Sequence, residues 1–135
     1  MNPNEAYLFG LLPLVIWREA KNQSYEAMIA VAWSIMNRVT RNDWEGHDFP
    51  SVILKHYQYS SFNWNDPNSQ QFPKDYSDSA WTKCLSAAHR VFYKIYPDPT
   101  NGAVNYYDKS LDSNPPKWAK DMIHTVDIGA FHFYK

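Results

Sequence analysis

The stretch Val15-Ile16-Trp17-Arg18-Glu19-Ala20 decides how this chain is read. Leu8, Leu11/Leu12, Val15/Ile16 and Glu19 follow one another at steps of three or four, the spacing of one face of an α-helix. An apolar face therefore continues into a carboxylate. Burying such a group is costly unless it has a partner or a use. In an apolar, aromatic-flanked site its pKa rises, and a carboxyl still protonated near neutral pH is a general acid. The competing reading is a helix end that points to water, and position alone does not separate the two.

Working outward, the first helix is predicted over about residues 4–21 with Pro13 inside it. Proline removes a helical hydrogen bond, so this segment is either kinked or two helices, with Pro13 in the first turn of the second. Ser24 is a good N-cap, and Glu26 in the first turn suits the helix dipole. The next helix runs to about Thr40. Its apolar residues (Met28, Ile29, Val31, Ala32, Trp33, Ile35, Met36, Val39) go nearly all round, so it should be central and buried. Asn42 to Pro50 reads as a loop, and Ser51 to His56 as a short helix at most. Tyr57 to Ser79 is a long irregular segment rich in Asn, Asp, Ser and aromatics, the kind of loop that carries function. Ser79 to Tyr96 returns to helical period. Val104 to Tyr107 reads as a strand, and Thr125 to Ile128 with Phe131 to Tyr134 as a hairpin around Gly129. The expectation is one α+β domain over residues 1–135, a helical body with a small sheet from the C-terminal third.

Composition narrows the partner. Aromatics make up 17% of the 135 residues, and many (Trp44, Trp64, Tyr76, Tyr106, Tyr107, Trp118) stand in polar surroundings where packing alone does not demand them. Such rings suit sugar C–H faces or nucleobases. The formal net charge of −1, from 13 basic and 14 acidic residues, argues against nucleic acid and favours a neutral carbohydrate or a peptide. Cys84 is the single cysteine, so no intrachain disulfide forms, and its apolar helical setting reads as a buried structural thiol. No two of His47, His56, His89, His124 and His132 have the i, i+4 spacing of a helical zinc pair, so no metal or cofactor is expected. The apolar run Phe9 to Trp17 is too short to span a membrane and lacks the flanks of a signal peptide. The resulting expectation is a cytoplasmic monomer without membrane insertion and with no visible export signal of its own.

Taken in order, the motifs form a set: Trp17-Arg18-Glu19-Ala20, Tyr25-Glu26 running to Ala30-Val31-Ala32, Asn37-Arg38-Val39, and Gln58-Tyr59-Ser60. Asp98-Pro99-Thr100, Tyr106-Tyr107, Pro116-Lys117-Trp118-Ala119 and a terminal Ile128-Gly129 with His132-Phe133-Tyr134 complete it. This ordered set resembles the SleB-like cell-wall hydrolase family, known from spore-cortex-lytic enzymes and phage lysins. Arg18 stands where that family commonly has glycine. Two residues rather than one separate Gly129 from His132, a shift that on a strand reverses the face.

The resemblance implies a lysozyme-like fold that cleaves the β-1,4 bond between N-acetylmuramic acid and N-acetylglucosamine in peptidoglycan glycan strands, with Glu19 as the catalytic acid. Gln58, Ser60, Phe62 and Trp64 would line the cleft, opposite Tyr106, Tyr107 and Trp118. Glycoside hydrolysis commonly uses a second carboxylate. Asp66, Asp75, Asp78, Asp98, Asp108 and Asp127 all sit among turn residues, where capping is the expected job, and Glu26 fits a first-turn role equally well. A lone acid suits a lytic transglycosylase that leaves 1,6-anhydro ends. A hydrolytic muramidase and a non-catalytic peptidoglycan-binding module are the alternatives. A peptidase is disfavoured, because no nucleophile-elbow pattern appears.

Overall fold

A computed structural model describes residues 3–41, 46–55, 59–63, 65–75 and 77–135 of the chain. Its helices are α1 (Pro3–Leu8), α2 (Leu11–Ala20), α3 (Tyr25–Arg41), α4 (Phe49–Ile53) and α5 (Ser79–Phe92). Its strands are β1 (Asn105–Asp108), β2 (His124–Ile128) and β3 (Phe131–Tyr134). Pro13 is the third residue of α2, where its missing N–H would have no intrahelical acceptor in any case. The chain thus breaks at Phe9-Gly10 and takes the two-helix alternative.

Helix α3 is the axis of the body. Ser24 Oγ accepts from the Ala27 N–H at 3.2 Å and starts it. Every residue from Ala27 to Ile35 is buried, as its all-round apolar pattern requires. Helices α2 and α5 pack on it and on each other. Helix α5 is capped by Asp78, which accepts from Trp81 N at 3.0 Å, and buries the stripe Cys84, Ala87, Ala88 and Val91. The Cys84 thiol is buried against Met28 Sδ at 3.9 Å, and burial pushes its pKa up to about 12, so it is a structural thiol. The irregular stretch after α4 holds two 3-10 turns, Ser60–Phe62 and Pro67–Gln70.

The antiparallel sheet has the order β1-β3-β2. Its inner face, with Phe131 and Phe133, joins the hydrophobic core of the helical body. Strand alternation splits the Tyr106-Tyr107 pair, with Tyr106 opposite inward-facing Phe133 and Tyr107 opposite His132 on the outer face. The Asp98-Pro99-Thr100 loop latches the sheet to α3. Asp98 accepts from Thr100 N, Thr100 Oγ1 and Gly102 N, and Asn37 Nδ2 donates to both Asp98 Oδ2 and the Ala103 carbonyl. Arg38 Nε donates to the Val104 carbonyl. Asn37 and Arg38 are therefore committed to the fold. No described helix is long and apolar enough to cross a membrane.

The β2–β3 turn depends on one glycine. Gly129 has φ +56°, and a Cβ there would lie 3.0 Å from Gln23 Oε1 and 3.1 Å from Ala27 Cβ. Gln23 Oε1 also accepts from Ala130 N at 3.1 Å, which ties the turn to the start of α3. Gly129→Ala should therefore cost about 1–2 kcal/mol, the left-handed penalty of a Cβ. Urea unfolding measures this as a lower midpoint at constant slope. An unchanged midpoint would contradict the placement of the turn.

Candidate active site

Glu19 lies in the last turn of α2, at the junction of the helical body with β1. It lines a cleft of about 510 Å³ together with Arg18, Asn68, Tyr106, Tyr107, Asp108, Leu111, Pro116, Trp118 and Phe131. The Tyr106 hydroxyl donates to Glu19 Oε1 at 2.7 Å. The Tyr106 ring is itself held edge-on against Phe131, with centroids 5.1 Å apart.

Two opposing effects act on the Glu19 carboxyl. Burial raises its pKa and is the largest contribution; the negative charge of Asp66 adds to it. The hydrogen bond from Tyr106 and the nearby Ser61 hydroxyl pull the other way. Ser61 Oγ is buried and makes no hydrogen bond of normal geometry, so its pull is the weaker of the two. Burial prevails, and the carboxyl is held above the ordinary glutamate value of 4.5. The same surroundings push the Tyr106 hydroxyl well above its usual range, so it remains a donor. A donor fixed on Oε1 leaves Oε2 to carry the acidic proton.

Two carboxylates that act on or line this centre, Asp66 and Asp108, serve as caps. Asp66 caps the turn Pro67–Gln70 by accepting from Asn68 N at 2.8 Å. Asp108, on the cleft wall, caps the turn Lys109–Leu111 by accepting from Ser110 N at 2.8 Å. Glu26 is exposed in the first turn of α3 and does not line the cleft.

Arg18 is the residue that spacing alone did not mark as architectural. It is buried, and its guanidinium donates to three backbone carbonyls: Nε to Gln71 at 3.1 Å, Nη1 to Ser61 at 3.2 Å and Nη2 to Ser69 at 3.1 Å. Phe62 and Phe72 cover its plane, their ring centroids 4.6 and 4.9 Å from Cζ. Arg18 therefore fastens both 3-10 turns to α2 beside Glu19. Phe62 lies against this guanidinium, whereas Tyr106, Tyr107 and Trp118 line the cleft. Ser60 opens the first of the two turns. Gln58 and Trp64 lie outside the described residues.

On the outer face of the sheet Tyr107, Tyr134 and Trp118 form an aromatic cluster. Tyr107 stacks on Tyr134 at 5.7 Å, and Trp118 stands edge-on to both. Beside it Asp127 Oδ1 lies 2.6 Å from His124 Nε2 and 2.6 Å from His132 Nδ1, while His132 Nε2 lies 2.8 Å from Asp112 Oδ1. His124, Asp127 and His132 bring one ligand atom each within 4.8 Å of one another, a grouping able to hold a divalent cation. Their spacing along the chain gives no metal motif. A register irregularity between His124 and Val126 puts His124 and Asp127, three residues apart, on one face.

Arg18→Lys should test the fastening. One ammonium cannot serve three divergent carbonyls or stack between two rings. The expected loss is about 1–3 kcal/mol of stability in urea unfolding, the scale of hydrogen bonds to charged groups. Wild-type stability in this variant would show that the three bonds do not hold the wall.

Comparison with known proteins supports this architecture. A family model described as Cell Wall Hydrolase matches residues 22–134. The match begins just after Glu19, so the position of that residue is an independent observation. Two solved structures share the fold over 100% of this chain. One is the catalytic domain of the germination-specific lytic transglycosylase SleB from Bacillus anthracis, with a TM-score of 0.72, 20% identity and 97% of its length covered. The other is the catalytic domain of the Bacillus cereus SleB protein, with a TM-score of 0.70, 23% identity and 94% covered. No curated protein sequence matches significantly. With the α+β fold and a family match over most of its length, the chain belongs to the cell wall hydrolase family, the SleB-like enzymes that degrade peptidoglycan.

Proposed function

We propose that this protein is a lytic transglycosylase that cleaves the β-1,4 bond between N-acetylmuramic acid and N-acetylglucosamine. The observation that carries the reading is one buried, Tyr106-held carboxyl on the cleft, with Asp66 and Asp108 both engaged as caps. Glu19 gives its proton to the glycosidic oxygen as the C1–O bond breaks. The substrate's own N-acetyl group supports the positive charge that develops at C1. The Glu19 carboxylate then takes the proton from the muramic C6 hydroxyl, and O6 bonds to C1. The product is a 1,6-anhydro ring, the acid is restored, and no water is consumed. Tyr106 holds Oε1, and burial raises the pKa of the acid, which favours its protonated form. Tyr107 and Trp118 offer faces on which sugar rings stack.

A hydrolytic muramidase is the second reading, favoured by the reach of the Asp66 charge to Glu19. Two-carboxylate hydrolysis needs separations of roughly 5–5.5 Å for retention or 6.5–9.5 Å for inversion, and a base free to act. An Asp66 that caps a turn is the less suitable base.

Two expectations follow. Glu19→Gln should lower turnover by at least about 100-fold, the low end for loss of a general acid. The same variant should be at least as stable as wild type at neutral pH. A raised carboxyl pKa contributes stability that is present below 4.5 and lost as pH rises through the folded-state value, whereas glutamine cannot ionise. Near wild-type lysis by this variant would overturn the mechanism. Mass spectrometry of peptidoglycan digested in ¹⁸O-water should give unlabelled 1,6-anhydro-muramic ends. Labelled reducing ends would replace this reading with the muramidase.

A further inference from the structure

A second concavity, of about 460 Å³, adjoins the Glu19 cleft. Tyr107, Pro115, Pro116, Lys117, Ala119, Lys120 and Tyr134 line it, and it shares Tyr107 and Pro116 with the cleft. Tyr107 and Pro116 therefore form a rim common to the two spaces. Its floor is rigid: Tyr107 stacks on Tyr134 with 22° between their planes, braced by the Trp118 edge. The Pro115-Pro116 pair has fixed φ angles, so this wall needs little ordering on binding.

The charge of the concavity is one-sided. Lys117 and Lys120 line it and no carboxylate does. Neither lysine is ion-paired among the described residues. Asp112 and Asp127, the acids that act on Tyr107, are engaged by His132 and His124. Tyr107 stacks on Tyr134, and the neighbouring Tyr134 hydroxyl pushes its pKa up to about 12, so it adds no charge of its own. A volume of several hundred Å³ with apolar walls and two cations fits a short acidic peptide.

We propose that this concavity is a subsite for the acidic peptide stem of the muramic acid bound in the Glu19 cleft, with Lys117 and Lys120 taking its carboxylates. The inference rests on the glycan-cleaving reading above. A muramic residue in the cleft carries its peptide on the lactyl ether, a side branch of the strand, and the shared Tyr107–Pro116 rim is a path for that branch. The glycan supplies the scissile bond, and the peptide supplies affinity and register.

The test compares soluble glycan strands that keep their peptides with strands stripped by an amidase. Wild-type KM should be about fivefold or more lower for the peptide-bearing strands, the scale of two exposed charge pairs. In the Lys117→Ala/Lys120→Ala double variant that ratio should fall to about one, while Lys117→Arg/Lys120→Arg should retain it. Equal wild-type KM on both strands, or a ratio that survives the alanine variant, overturns the subsite alone. Cleavage of neither strand overturns the glycan-cleaving reading and the subsite with it.

Discussion

One hydrogen bond, from the Tyr106 hydroxyl to Glu19 Oε1, joins the helical body to the sheet at the point where chemistry is expected. A charged carboxylate in this position would pay a desolvation cost larger than its partners return, and the direction of its pKa shift records that outcome. A hydrogen bond to a charged group is worth about 1.5–3 kcal/mol, enough to orient the carboxyl without keeping it ionised. Everything around the pair serves this balance. Phe131 packs against the tyrosine ring, the apolar face of α2 brings the carboxyl to its hydroxyl donor, and the latch of Asn37 on Asp98 sets β1 against α3.

The cleft wall opposite the sheet depends on a different device. The segment 59–72 has little regular structure among its described residues and so cannot hold itself by a backbone ladder. Arg18 substitutes for one: a fixed fork on three carbonyls, covered by two phenylalanines. Because Arg18 and Glu19 are neighbours in one helix, the residue that fastens the wall is joined directly to the proposed catalytic acid. A glycine at position 18 could not do this.

Several features were legible in the sequence for physical reasons. Helix α3 carries an apolar pattern on every side, and only a central element satisfies that. The hairpin was visible because Gly129 interrupts two runs of strand formers. Glu19 stood out because a carboxylate extends an apolar stripe. The aspartates read as caps proved to be so at Asp66, Asp78 and Asp108. Other features depend on contacts that local pattern does not encode. The partners of Arg18 are main-chain carbonyls 43 to 53 residues away, and a carbonyl has no sequence signature. Asp127 read as a turn residue but lies in β2 between two histidines, because a register irregularity re-aims His124. Pro13 was compatible with a kink or a break, and the break at Gly10 became definite only through the packing of α2 against α3 and α5.

The central claim is that burial raises the pKa of the Glu19 carboxyl above the ordinary glutamate value and so favours its acid form. A ¹³C-detected NMR titration of the glutamate side-chain carboxyls, with Glu19 assigned by its absence in Glu19→Gln, measures this directly. The account predicts a midpoint for Glu19 above the ordinary 4.5, and a lower one in Tyr106→Phe only if solvent enters the site as the hydroxyl leaves. A wild-type midpoint at or below 4.5 would mean that the residue is an ordinary ionised carboxylate, and the single-acid account of this cleft would be wrong.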